Sequence, residues 1–316
     1  MAGLKINVHD APQDGRFTLK MENLDVEVRV SALPGAYGES IVMRLLDPRA
    51  AKKSLEELGL REDLLKEMEK QLKKTTGAIL TTGPTGSGKT TTLYAFVNFV
   101  NEPGVKIITI EDPIEYHIEG ISQSQVKPEK GYTFSTGLRS IVRQDPDVIL
   151  VGEIRDSETA EIAMHAALTG HLVFSTLHTN DAAGVIPRLI DIGAKPQIIA
   201  PAINLAMAQR LVRKLCQKCK KKVRATAEES NKLKEVLKNL PEKIKKPMTE
   251  KIEIFKAGEC EECGLSGYQD RIGIFEAFVI DEELEKLILQ SPAISEIRNL
   301  AIKKGMITLT QDAHLK

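Results

Sequence analysis

Apolar and polar positions alternate from Leu24 to Val30 (LDVEVRV), the two-residue period of a strand with one covered face. A turn is expected at Pro34-Gly35, and Ser40 to Leu46 (SIVMRLL) reads as a second strand. Residues 1 to about 50 thus predict a small β-rich unit. Two or three strands bury too little surface to stand alone, so the unit is expected to begin inside a domain. Residues 51–74 carry a charged amphipathic stretch, SLEELGLREDLLKEMEKQLKK, read as a connector helix.

From Gly77 the pattern changes. Short apolar runs occupy Ala78–Thr82, Val105–Ile110, Val148–Val151 and Leu172–Thr176. Helical stretches are expected from the GPTGSGKT segment to about Val100, from Ser157 to about Leu168 and from Asp181 to Ile192. Buried runs alternating with helices predict an α/β chain, a parallel sheet with helices on its faces. Ile198 to about Val212 reads as a further helix ending in a basic cluster. The Lys- and Glu-rich stretch between Cys219 and Cys260 reads as surface helices broken at Pro241 and Pro247. Asp281–Lys304 predicts two helices separated at Ser291-Pro292, with Gly305 as the stop.

A length of 316 residues suggests about two domains. Apolar residues are 42% and charged residues 28%, which excludes a disordered chain. Aromatics are only 4% and Trp is absent, so the core must be aliphatic. The longest apolar stretch, Ile198–Ala208, is interrupted by Pro201 and Asn204 and falls short of the roughly 18 residues of a membrane span. The first residues, MAGLKINVHD, lack the layout of a signal peptide. Four cysteines without an export signal point to the cytoplasm. Lys+Arg and Asp+Glu are both 44, and this balance argues against nucleic acid as a partner.

Gly83, Pro84, Thr85, Gly86, Ser87, Gly88, Lys89 and Thr90 match G-x-x-x-x-G-K-[ST]. Glycines let successive N–H groups turn toward one anion, and the following helix adds its positive end. The motif predicts NTP binding, with Lys89 on the β- and γ-phosphates, the Thr90 hydroxyl on Mg²⁺, and Thr91 included in the nucleotide-binding set. A phosphate-transferring site also needs acids near the metal and the water. Glu111-Asp112-Pro113-Ile114-Glu115 and Glu153 both follow apolar runs, where strands of an open α/β sheet end at the ligand. His178 follows another run and reads either as a γ-phosphate sensor or as a structural histidine; His171, before that run, is equally ambiguous. Taken alone, Arg29, Arg44, Arg139 and Arg143 read as surface charges.

Cys216-x-x-Cys219 and Cys260-x-x-Cys263 are two CxxC pairs. Each places two thiolates on one edge of a tetrahedron, and two pairs complete a structural Zn²⁺ site. The basic run Arg210, Arg213, Lys214, Lys218, Lys220, Lys221, Lys222 and Arg224 reads as an anionic-lipid contact or as a solvated surface around the metal. Nucleic acid ranks third, because no aromatic residues are interleaved.

These segments resemble the secretion-superfamily (traffic) ATPases of type II secretion and type IV pilus assembly, the GspE/PilB branch. Gly83–Thr90 is similar to the family's Walker A, TIEDPIE (Thr109–Glu115) to its Asp box, RQDPDVILVGEIRD (Arg143–Asp156) to its Walker B region, and TGHLVFSTLHTN (Thr169–Asn180) to its His box. The resemblance implies a RecA-like P-loop core, a small N-terminal α+β (PAS-like) domain, the tetracysteine zinc module and a C-terminal helical segment. The expected divisions are 1–50, connector 51–74, core 75–213, zinc module 214–270 and helical segment 271–316. It also implies Glu115 as catalytic base, Glu153 as a Mg²⁺ holder, His178 at the γ-phosphate and His171 as its support. Arg29 and Arg44 match arginines that swing over the nucleotide, and Arg139 and Arg143 match a second pair near the site. The function implied is an ATP-hydrolysing homo-hexamer, peripheral to the inner membrane on its cytoplasmic side. It would drive a platform protein that assembles pilin or pseudopilin fibres. A nucleic-acid motor, a zinc-stabilised adaptor that binds ATP without hydrolysing it, and a retraction motor are the alternatives.

Overall fold

The structure, a computed structural model, describes residues 2–21, 24–241, 244 and 252–316. The N-terminal unit is an antiparallel meander of β1 (Gln13–Met21), β2 (Leu24–Gly35) and β3 (Gly38–Leu46). Val26, Val28 and Val30 are buried on one face, as the alternation requires. The turn lies one step beyond Pro34-Gly35, because β2 runs on until Gly35 pairs with Gly38. The unit's described residues form this sheet and lead into a 3₁₀ turn at Pro48–Lys52; helices of an α+β unit are not among them.

The connector is not one helix. Gly59 takes a left-handed conformation (φ +86°) and closes a second 3₁₀ turn, Glu56–Leu58. Only then does α1 (Glu62–Leu72) begin. Its Leu64, Met68 and Leu72, four apart, are buried against Leu93 and Phe96, so this helix belongs to the core.

Seven strands form the main sheet: β4 (Gly77–Thr82), β5 (Ile107–Glu111), β6 (Ser122–Gln125), β7 (Val148–Val151), β8 (Leu172–Leu177), β9 (Ile203–Leu215) and, after the separate antiparallel pair β10 (Lys221–Arg224) and β11 (Glu253–Lys256), β12 (Tyr268–Val279). The order is β12-β9-β4-β8-β7-β5-β6, with β12 antiparallel to β9 and the other pairs parallel. Helices α2 (Lys89–Val100), α3 (Phe134–Val142), α4 (Ser157–Leu168), α5 (Val185–Asp191) and α6 (Pro196–Ala202) lie among these strands in sequence; α7 (Ala227–Val236), α8 (Glu282–Ile288), α9 (Ile294–Lys303) and α10 (Leu309–Leu315) lie later in the chain. Strand residues alternate between two cores. Ile79, Leu150 and Phe174 pack with α1 and α2, while Leu80, Val151 and Val173 pack with α3 and α4. Burial on both faces explains the continuous apolar runs.

Three expectations change. Ile198–Val212 is not a helix: after the short α6 the chain extends as β9. Ala206, Met207 and Ala208 favour helix locally, but a slot between β4 and β12 pairs their backbone and buries them fully. Residues 271–279 are likewise strand, completing the sheet, so the helical segment starts at Glu282. Among its described residues, the stretch between the CxxC pairs holds a two-stranded sheet and one helix, α7; Pro247 lies outside the described residues. The two helices beyond Asp281 and the stop at Gly305 (φ +102°) are as expected. Among the described residues, no helix is long and apolar enough to cross a membrane.

Candidate nucleotide and metal sites

The glycine-rich loop joins the carboxyl end of β4 to the start of α2. Gly83 (φ +148°) and Gly88 (φ +89°) adopt torsions that L side chains rarely reach. A Cβ at Gly83 would come within 2.5 Å of the Gln209 carbonyl, and one at Gly88 within 2.8 Å of the Gln209 amide. Gln209 itself braces the loop: buried on β9, it donates to Ser87 O (2.7 Å) and accepts from Thr92 Oγ1 (2.8 Å). A helical pattern hides it; the signal is an amide that closes the apolar run Leu205–Ala208. Thr90 is exposed on the first turn of α2, with Thr91 beside it.

Lys89 Nζ donates to Gly83 O (2.8 Å) and Pro84 O (3.2 Å). Burial lowers its pKa, the Glu153 carboxylate pulls it back up, and Arg210 adds to the lowering. Arg210 therefore leaves the basic run and faces the loop, with its Nη2 on Asn180 O (3.0 Å). Glu153, just past β7, forms an ion pair with Arg155 (Nε 2.6 Å away) and lies 3.3 Å from His178 Nε2. Thr82 and Thr179 tie the ends of β4 and β8 together through Thr179 N to Thr82 Oγ1 (2.7 Å). Lys89, Glu153 and His178 thus converge at one edge of the sheet. His171 does not join them: it precedes β8, at the opposite end from His178, and contacts Ala166 O (3.0 Å). Six strand residues separate the two histidines, about 20 Å of extended chain.

Glu115 forms a second cluster, with Arg29. Arg29 Nη1 lies 2.9 Å from Glu115 Oε2, and its Nη2 donates to Ile114 O (2.8 Å). Arg16, Arg29 and Arg44 stand directly opposite one another across β1, β2 and β3. Opposed residues of antiparallel strands share a face, so the meander presents three arginines in a row. Arg139 pairs instead with Glu158 (2.6 Å) across α3 and α4, and Arg143 donates to Ser140 Oγ (3.3 Å). Within the chain, neither is drawn into the Lys89 cluster.

The carboxylate of Glu111 ends β5, 4% exposed. It accepts from Tyr94 Oη and Thr109 Oγ1, both at 2.5 Å, and from Gln123 Nε2 at 3.2 Å. Burial, then the neighbouring carboxylate, push the Tyr94 pKa well up, so the phenol keeps its proton and donates.

Cys216, Cys219, Cys260 and Cys263 bring their four sulfurs within 4.8 Å of one another. The Cys216–Cys260 and Cys219–Cys263 separations are 3.8 Å and Cys260–Cys263 is 3.6 Å. A tetrahedron built on Zn–S bonds of about 2.3 Å has edges of about 3.8 Å, so the four thiols fit zinc. Burial, then thiol contacts, push Cys219 up to about 12. At Cys263 burial opposes charge, but hydrogen bonding at the Cys260 and Gly267 backbones brings it down to about 6. A bound cation would displace the thiol protons and balance the charge of the resulting thiolates.

The family model described as "Type II/IV secretion system protein" matches residues 1–316. Type II secretion system protein E of Pseudomonas aeruginosa is 47% identical over 305 residues, covering 96% of this chain and 59% of its own length. Type IV pilus assembly ATPase PilB of Thermus thermophilus is 42% identical over 316 residues, covering 100% of this chain and 34% of its own. The chain thus spans between a third and three fifths of these two relatives. Among solved structures, the Legionella pneumophila ATPase DotB superposes with a TM-score of 0.65 at 23% identity, covering 97% of this chain and 73% of that one. The pilus retraction motor PilT with bound ADP gives 0.62 at 25%, covering 96% and 77%.

Proposed function

Because the chain belongs to the type II/IV secretion system protein family, we propose that it is the motor part of an ATPase that assembles pilin or pseudopilin fibres. The observation that carries this reading is the convergence of Lys89, Glu153 and His178 beside a phosphate loop, with Glu115 on the neighbouring strand's loop. The backbone of Gly83–Gly88 and the ammonium of Lys89 would hold the phosphates. Thr90 and Glu153 would hold Mg²⁺, which supplies charge neutralisation on the transferring group. Glu115 orients the attacking water and takes its proton. The bond from the γ-phosphorus to the bridging oxygen breaks, leaving ADP and inorganic phosphate. His178, tied to Glu153, senses the γ-phosphate.

Arg29 and Arg44 lie on a separate sheet and close over the nucleotide, so hydrolysis becomes movement of that sheet. Arg139 on α3 and Arg143 just past its end, both exposed, suit the site of an adjacent subunit in a homo-hexamer. The ring would sit on the cytoplasmic side of the inner membrane, peripheral to it, and act on a platform protein. Zinc would hold the tetracysteine module.

The test is phosphate release by the purified chain, with nucleotide binding measured separately. Lys89→Ala should abolish both. Glu115→Gln and Glu153→Gln should bind ATP and turn over at least about 100-fold more slowly. A parent rate in Glu115→Gln would remove Glu115 from the role of base.

A further inference from the structure

The Glu111 carboxylate joins parts of the site that the mechanism treats separately. Tyr94, one donor, belongs to α2, the helix that opens with Lys89. Gln123, another, belongs to β6 and reaches beyond the carboxylate. Its Nε2 also donates to Tyr116 O (3.0 Å), and its Oε1 accepts from Ile118 N (2.8 Å). Gln125 Oε1 accepts from Ile114 N (3.4 Å). The Tyr94 ring meets Tyr116 edge-on, with centroids 6.2 Å apart. The residues that follow Glu115 are therefore tied to the helix of the phosphate loop through one buried carboxylate, while Ile114 before it is held by Gln125 of the same strand β6.

We propose that Tyr94, Glu111 and Gln123 are positioning residues for Glu115, setting the proposed base against the nucleotide held by the loop at the start of α2. The inference rests on the reading of Glu115 as base. An edge-stabilising role explains the network less well. The backbones of β5 and β6 already pair from Ile108–Ser122 to Glu111–Gln125. Gln123 spends two of its three bonds on the loop that follows Glu115. A catalytic group misplaced by about 1 Å can cost about 10²-fold in rate, so a network of this kind has a large lever.

Tyr94→Phe tests it, since it deletes one hydroxyl and keeps the ring. We expect kcat to fall about 10-fold or more, with KM and the affinity for a fluorescent ATP analogue within about two-fold of the parent. Amide exchange should quicken across residues 112–118. Added to Glu115→Gln, the same change should leave the residual rate unaltered, because nothing remains to be placed. Equal losses in both backgrounds would reveal a general structural role and overturn the proposal, as would a parent-like kcat for Tyr94→Phe. Gln123→Leu, at a half-buried position, carries the same expectations if Tyr94→Phe fails to fold. A parent-like Glu115→Gln overturns the reading of the base and this inference with it. A slow Glu115→Gln beside a parent-like Tyr94→Phe overturns only the inference.

Discussion

At the scale of single residues, Arg29 and Glu115 hold each other: the guanidinium neutralises the carboxylate proposed as base and grips the backbone of the preceding residue. Arg44, directly opposite Arg29, is exposed. Like charges facing one another across strands are destabilising, which suits a surface made for an anion. Guanidinium groups offer always-charged, paired donors for the outer oxygens of a transferring phosphoryl group. The Arg29→Ala, Arg44→Ala double variant should therefore lose about 10³-fold in turnover, while ATP-analogue affinity changes little. Steady-state rates and equilibrium binding check this, and parent-like turnover would return both residues to surface charge.

Among the elements, β12 acts as a hub, and two buried acids make it so. Asp312 of α10 is fully buried; it accepts from Arg61 Nη1 (2.6 Å) at the entry to α1 and from Phe275 N (2.7 Å). Glu276 accepts from Ala182 N (2.8 Å), before α5, and from Leu309 N (3.0 Å), at the start of α10. Burial raises the Glu276 pKa above 4.5 in spite of these bonds. The folded state therefore holds this proton more tightly than the unfolded chain. Its contribution to stability is full below the unfolded pKa and is lost as pH rises through the folded one. Glu276→Gln removes the titration. Relative to the parent, the variant should gain stability between about pH 4 and about pH 7. Urea melts of both proteins at the two pH values decide it, and a pH-independent difference would refute it.

For the whole molecule, the tetracysteine module is a loop closed far from the nucleotide in sequence, holding the small β10–β11 sheet and α7 between its two thiol pairs. Among the described residues α7 contributes no buried residue of its own, and the apolar cluster of this stretch is small, Leu237 and Leu240 packed with Ile307, so a metal cross-link would add substantially to what holds the module. Purified protein should contain about one zinc per chain. Cys260→Ser, or chelation, should lower thermal stability more than nucleotide affinity. Elemental analysis and melting curves test this; a zinc-free protein with a disulfide would overturn it.

The phosphate loop, the apolar runs of β4, β5, β7 and β8 and the two CxxC pairs were legible in the sequence because each is set by short-range physics. Glycines make the torsions, burial on two faces makes uninterrupted apolar runs, and a tight turn makes a thiol pair. Only the tertiary structure decided that Ile203–Leu215 is a strand, since its helix-forming residues yield to pairing on both edges. The same holds for Gln209 beneath the phosphate loop, for Arg29 on Glu115, and for the distance of His171 from His178. These juxtapose residues from separate strands, and no local pattern carries the register between them.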